Sequence, residues 1–224
     1  MRSEQARTID EITTDKALLL SLFHLAEKKS PVGSVMKAQK LAFLSAAPMF
    51  EENMKAFSLE FFRFKFGPIS KGVYLALDDF SAVGLMSRTD YRLSTISKEG
   101  RELAEAFIED VLRGIPENAF CFDRLNLVVN KFSNRTALEL RDHVYEIQTK
   151  TVESNTLRKI KDIPFYEHFT LALDPEDSRQ VLSLPEDWLS TMSIELNPQS
   201  LASIERAMST ELVELPKIAD APQS

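Results

Sequence analysis

Three histidines (His24, His143, His168) and a single Cys121 are the side chains best suited to nucleophilic, acid–base or metal chemistry in this chain of 224 residues. Their spacing builds no familiar arrangement. One thiol and three imidazoles scattered far apart in the sequence, none at ligand spacing, leave little for a structural zinc site. Cys121 stands between Phe120 and Phe122, which predicts a buried and inert thiol. No G-x-S-x-G elbow presents a serine. The six glycines include no phosphate-cradling run. His143 falls on the apolar side of a predicted helix, with Leu140, Val144 and Ile147, where a histidine serves packing. His24 reads the same way. The expectation is a protein with no catalytic residue, no metal and no cofactor.

The charged residues offer binding instead. Lys37 and Lys40 lie one turn apart on a predicted helix and are expected on its solvated side. Arg63, Lys65 and Lys71 bracket Gly67 and Pro68. All five form one basic patch if that helix lies beside the turn. Pro68 fixes its own φ and biases Gly67 towards an extended conformation. Phe61, Phe62, Phe64 and Phe66 are expected in the core, with an exposed aromatic groove for a partner strand or helix as the alternative.

These groups must be held by a largely helical frame. Residues 1–14 read as a loose arm. Asp15 is the expected N-cap of a helix over residues 16–28 whose apolar residues cover most of its circumference. Ser34 caps a second helix carrying Val35, Ala38, Leu41, Ala42 and Met49 at helical spacing. Residues 57–66 are the best strand candidate. Phe57, Leu59 and Phe61 alternate with polar residues, then the phase flips to Phe62, Phe64 and Phe66, which predicts a bulge. Ser70 opens a helix that Gly84 closes in a left-handed conformation. A hairpin turning at residues 88–90 follows, then a helix capped by Ser97 and ended by Gly114. Two more helices come next, the second opened by a capping box, Thr136 with Glu139. The polar stretch 149–161 reads as a loop, and residues 164–173 as a short element of either type. Short helices are expected over 185–192 and 198–209, the latter capped by Asn197. The order helix, helix, strand, helix, hairpin, helix predicts a mainly α fold with a small antiparallel β-sheet, winged-helix-like.

Charge divides the chain. Residues 1–173 hold 24 basic and 24 acidic side chains, whereas residues 174–224 hold three basic and ten acidic, the whole of the net charge of −7. Five of the ten prolines also lie after 174. The expected organisation is an arm (1–14), a domain (15–173) and an acidic C-terminal extension (174–224). Trp188, Leu189, Met192, Leu201, Ile204 and Met208 are apolar anchors there, for a partner or for the domain itself. No leader or membrane span is apparent, so the expected location is cytoplasmic. An acidic chain is a poor general DNA binder, because DNA affinity comes largely from cations neutralising phosphates.

Four pieces of the sequence together resemble a known family. Lys37, Gln39 and Lys40, followed by Leu41, resemble the lysine–glutamine–lysine–leucine helix of Panacea-domain (SocA-like) antitoxins. The stretch from Arg63 through Lys65 to Gly67 and Pro68 resembles that family's Gly-Pro turn, with Val73 and Tyr74 at its spacing. A hairpin and helix follow. The stretch from Thr136 to His143 resembles its later small-residue–leucine–histidine helix. The similarity covers roughly residues 17–150. Val144, Tyr145 and Glu146 stand where the family often has a tryptophan-bearing end, and nothing after residue 173 has a counterpart. The resemblance implies a non-enzymatic antitoxin that binds and neutralises a cognate protein toxin. Operator DNA, through autoregulation, and a homodimeric partner copy complete its implied partners. The alternative is a winged-helix transcription regulator. The helix after Pro68 would then read bases, but it holds only Lys71 as a cation and carries Asp78 and Asp79.

Overall fold

The structure is a computed structural model that describes residues 7–170 and 175–203. The fold is mainly α, with small sheets. Helix α1 (Ile9–Glu27) is its axis, with every residue from Asp15 to His24 buried. It starts earlier than predicted. The Thr8 hydroxyl accepts the Glu11 N–H while the Glu11 carboxylate accepts the Thr8 N–H, a reciprocal cap that extends the helix over residues 9–14 of the expected arm. Residues 1–6 of that arm lie outside the described residues. Asp15 is not the cap. It is buried, bound by Arg7 at 2.8 Å and by the Ser58 N–H at 2.7 Å, and burial raises its carboxyl pKa to about 7.

Ser34 caps α2 (Val35–Glu51) as expected, its hydroxyl accepting the Lys37 N–H. Three short strands follow: β1 (Met54–Lys55), β2 (Phe61–Phe64) and β3 (Gly67–Ile69). The strand does not follow the phase flip of its apolar residues: Arg63 stays on the inward side with Phe61. Phe57, Leu59 and Phe61 are buried, and the register of β2 against its neighbour shifts between Phe61 and Phe62. Helix α3 (Lys71–Ala82) ends ahead of Gly84, whose φ of +77° is the expected left-handed stop. Strands β4 (Arg88–Thr89) and β5 (Arg92–Leu93) make the expected hairpin, with the turn later than predicted, at Asp90 and Tyr91. Helix α4 (Lys98–Phe107), capped by Ser97, runs into a π-helical segment, Ile108–Arg113, that no sequence pattern announces.

Helix α5 (Ala119–Phe132) packs on α1 and α2, and α6 (Ala137–Glu146) opens with the predicted Thr136–Glu139 box. The polar stretch read as a loop is instead a hairpin of β6 (Gln148–Thr151) and β7 (Ser154–Lys159). Its inward residues are Thr149 and Thr151, so the alternation of burial carries no apolar signal. Strand β8 (His168–Thr170) completes an antiparallel sheet of order β3-β2-β8.

The start of the acidic extension belongs to the fold. Strand β9 (Gln180–Val181) pairs in parallel with β1, and α7 (Glu186–Glu195) lies on α1. Met192 and Leu196 are buried, Leu189 is half-buried, and the Trp188 ring packs edge-on against Phe107 at 5.7 Å. Lys16 reaches the Leu196 carbonyl at 2.9 Å and Asp79 at 2.7 Å. Buried Asn118 donates to the Val111 and Ser183 carbonyls and accepts the Ser183 N–H. Met192 is buried and Trp188 packs on the core, so of the two readings of these anchors the structure shows packing on the domain itself for both. Residues 171–174 and 204–224, with Ile204 and Met208, lie outside the described residues.

Candidate functional site

The residues of the lysine–glutamine–lysine helix are structural clamps. The Gln39 amide donates to the Ser70 carbonyl and accepts the Ser70 N–H, each at 2.9 Å. The Lys40 ammonium donates to the Pro68 carbonyl at 2.8 Å. Strand β3 is an edge of its sheet, and an open edge invites strand addition. Helix α2 occupies that edge with side chains. The expectation that Lys37 and Lys40 face solvent is therefore corrected. Lys40 is 1% exposed, and Lys37 is buried with its ammonium on the Pro31 carbonyl at 2.8 Å. A polar residue was read as solvated where it binds backbone.

Gly67 is not extended. Its φ is +96°, and a Cβ there would stand 3.4 Å from Cε1 of Tyr145 and 3.5 Å from the Lys40 ammonium. The turn needs glycine for conformation and for space. The Tyr145 hydroxyl donates to the Lys65 carbonyl at 2.9 Å. Arg63 is only 6% exposed and donates through Nε to the Ile160 carbonyl at 2.9 Å. Its guanidinium carbon lies 5.2 Å from the centre of the Tyr145 ring and 5.1 Å from that of Phe165. With Lys37, Lys40 and Arg63 buried, the expected five-residue basic patch does not form. Lys65 and Lys71 are exposed, the Lys65 ammonium 5.5 Å from the Phe66 ring. Burial, then the nearby Arg63 charge, lowers the Lys40 pKa to about 7.

Tyr74 and His143 are half-buried and act elsewhere. The Arg88 guanidinium covers the Tyr74 ring at 5.5 Å. The His143 ring lies 4.9 Å from Phe132, and burial, then Arg135 and Lys131, lowers its pKa. Neither offers a base poised against a nucleophile. Burial pushes the Cys121 thiol up to about 12. On α3, Asp78 pairs with Arg88 and Asp79 with Lys16, so this helix presents paired acids, not base-reading cations.

What the sheet does present is its outer face. Phe64 and Phe66 were expected in the core, yet they are 39% and 46% exposed. The backbone keeps its alternation through this stretch: Phe57, Leu59, Phe61 and Arg63 are all buried, so Phe62 and Phe64 turn outward although the apolar pattern changes phase. Beside them, Phe165 is 57% and Tyr166 65% exposed. The Tyr166 ring lies 6.4 Å from Phe62, 5.9 Å from Phe64 and 6.5 Å from Phe165, and His168 lies 5.7 Å from Phe62. Tyr166 is held at φ +69°, which costs a bulky residue energy, with its N–H on the Arg63 carbonyl at 2.8 Å. The β8 edge is closed too. The Val152 N–H bonds the His168 carbonyl, and the Glu153 carboxylate accepts the His168 N–H. Both edges are blocked while the aromatic face stays open. Phe165 and Tyr166 were missed by sequence reasoning; two aromatics after Pro164 in a polar stretch were the available signal.

Among the described residues, no helix is long and apolar enough to cross a membrane. No family model, no curated protein and no solved structure matches this chain.

Proposed function

We propose that this protein is an antitoxin that binds a cognate protein toxin and blocks it, performing no chemistry of its own. The outer face of the β3-β2-β8 sheet is the docking surface. One observation carries the reading: three large aromatic side chains, Phe64, Phe165 and Tyr166, stand exposed in ring contact, one of them on strained backbone, with Phe66 exposed in the turn after β2. Exposed clusters of this kind mark protein–protein contacts, where aromatic and arginine residues supply most of the binding energy. The closed edges favour docking by ring packing over addition of a strand. The resemblance to Panacea-domain antitoxins supports the same class, and its polar motif residues here build the turn beneath the surface. Toxin and antitoxin would meet in the cytoplasm.

The test is co-expression with the product of the adjacent reading frame. The reading expects that product to arrest growth alone, and this chain to restore growth and co-purify with it. An adjacent product that is harmless, or that forms no complex, contradicts it.

A further inference from the structure

Arg63 and Lys40 are two buried cations, and among the described residues no carboxylate pairs with either. Arg63 uses Nε on a carbonyl, while its Nη1 is buried without any hydrogen-bond partner. Lys40 has a single carbonyl. Buried charge without a counter-charge is strongly unfavourable. A molecule that keeps such a pair gains most when something outside supplies the anion. The guanidinium sits under the exposed ring of Phe165, in the segment that turns at the strained Tyr166. The orphaned group therefore lies directly beneath the exposed ring of Phe165, beside the aromatic face.

We propose that Arg63 is a recognition site for a carboxylate of the partner: an Asp or Glu side chain flanked by apolar residues, entering where Phe165 covers the guanidinium. The proposal rests on the docking role of the face and adds the chemistry of its occupant. A planar, singly charged carboxylate matches the guanidinium fork and costs less to desolvate than a phosphate dianion. Lys40 adds a second positive charge behind it. The flanking apolar residues pack on Phe64 and Tyr166.

The full chain is titrated with two blocked tripeptides, Phe-Asp-Phe and Phe-Asn-Phe, and with inorganic phosphate. The acidic peptide should bind about tenfold or more tighter than the amide, the scale of one charged hydrogen bond. Arg63→Gln should abolish that preference. In the unaltered chain, the acidic peptide should move the Lys40 ammonium titration upward, a readout that needs no variant to fold. Equal affinities, an unmoved Lys40, or a response to phosphate alone would overturn the site. A toxin complex lost in Tyr166→Gly yet indifferent to Arg63→Gln would overturn the carboxylate site and leave the docking face standing.

Discussion

Two buried lysines hold two parts of this molecule to its helical core, and they differ in company. Lys16 on α1 binds the Leu196 carbonyl and has Asp79 beside it. Lys40 on α2 binds the Pro68 carbonyl and has Arg63 for a neighbour. Each works with an amide that pairs with a peptide group: Asn118 with Ser183 in the C-terminal segment, Gln39 with Ser70 beside β3. The device is the same, and the electrostatics are opposite. The C-terminal clamp is neutralised and complete, as befits a structural joint. The β3 clamp keeps two cations that no carboxylate among the described residues pairs, one of them beneath the exposed ring of Phe165.

That contrast can be broken most forcefully at the C-terminal clamp. Asn118→Leu strands the Ser183 N–H and two carbonyls, and should cost about 3 kcal/mol in urea unfolding. Met192→Ala in the same joint should cost a similar amount, about 3 kcal/mol, through the cavity it leaves. Lys16→Met leaves Asp79 and the Leu196 carbonyl without their donor and should cost about 1–2 kcal/mol. Lys40→Met, by comparison, removes a repulsion along with its hydrogen bond and should cost less than about 1 kcal/mol. If the two lysine variants lose equal stability, the distinction between a completed and an uncompleted clamp is wrong.

Acidity sharpens it further. The Lys40 pKa is lowered in the folded chain from 10.5 to about 7. Between those values the unfolded chain binds more protons, so this lysine makes stability rise as pH climbs from about 7 towards 10.5. Below that window both states are protonated and the penalty is at its full value. The parent should therefore gain stability relative to Lys40→Met as pH rises through this range; parallel curves would contradict the shift. The smallest effect is expected at Tyr166→Gly, which relieves the positive φ and should stabilise the fold by about 1 kcal/mol or less.

The sequence was legible where local chemistry decides structure. Ser34, Ser97 and Thr136 cap their helices as read, Gly84 stops α3, and the pairing of β2 is irregular at Phe61 and Phe62, where a bulge is expected. It was misleading where a polar side chain is satisfied by backbone far away. Lys40 and Gln39 bond residues 28 and 31 positions on, and Asn118 and Lys16 reach 65 and 180 positions. No periodicity reports such partners, so buried lysines were read as solvated. The same gap hid the hairpin β6–β7, whose inward side chains are threonines. The aromatic surface was half legible. The phenylalanines stood out, but Phe62 and Phe64 face outward because the strand keeps its alternation and buries Arg63, a charged residue that the apolar pattern assigns to the surface.

The decisive measurement is the affinity for the adjacent-frame toxin of Phe64→Ser combined with Tyr166→Gly, alongside its melting temperature. The account predicts a folded protein whose binding falls about a hundredfold or more, the loss of two aromatic anchors. A variant that melts like the parent and holds the toxin as tightly would show that the open face of the sheet is not where this molecule meets its partner.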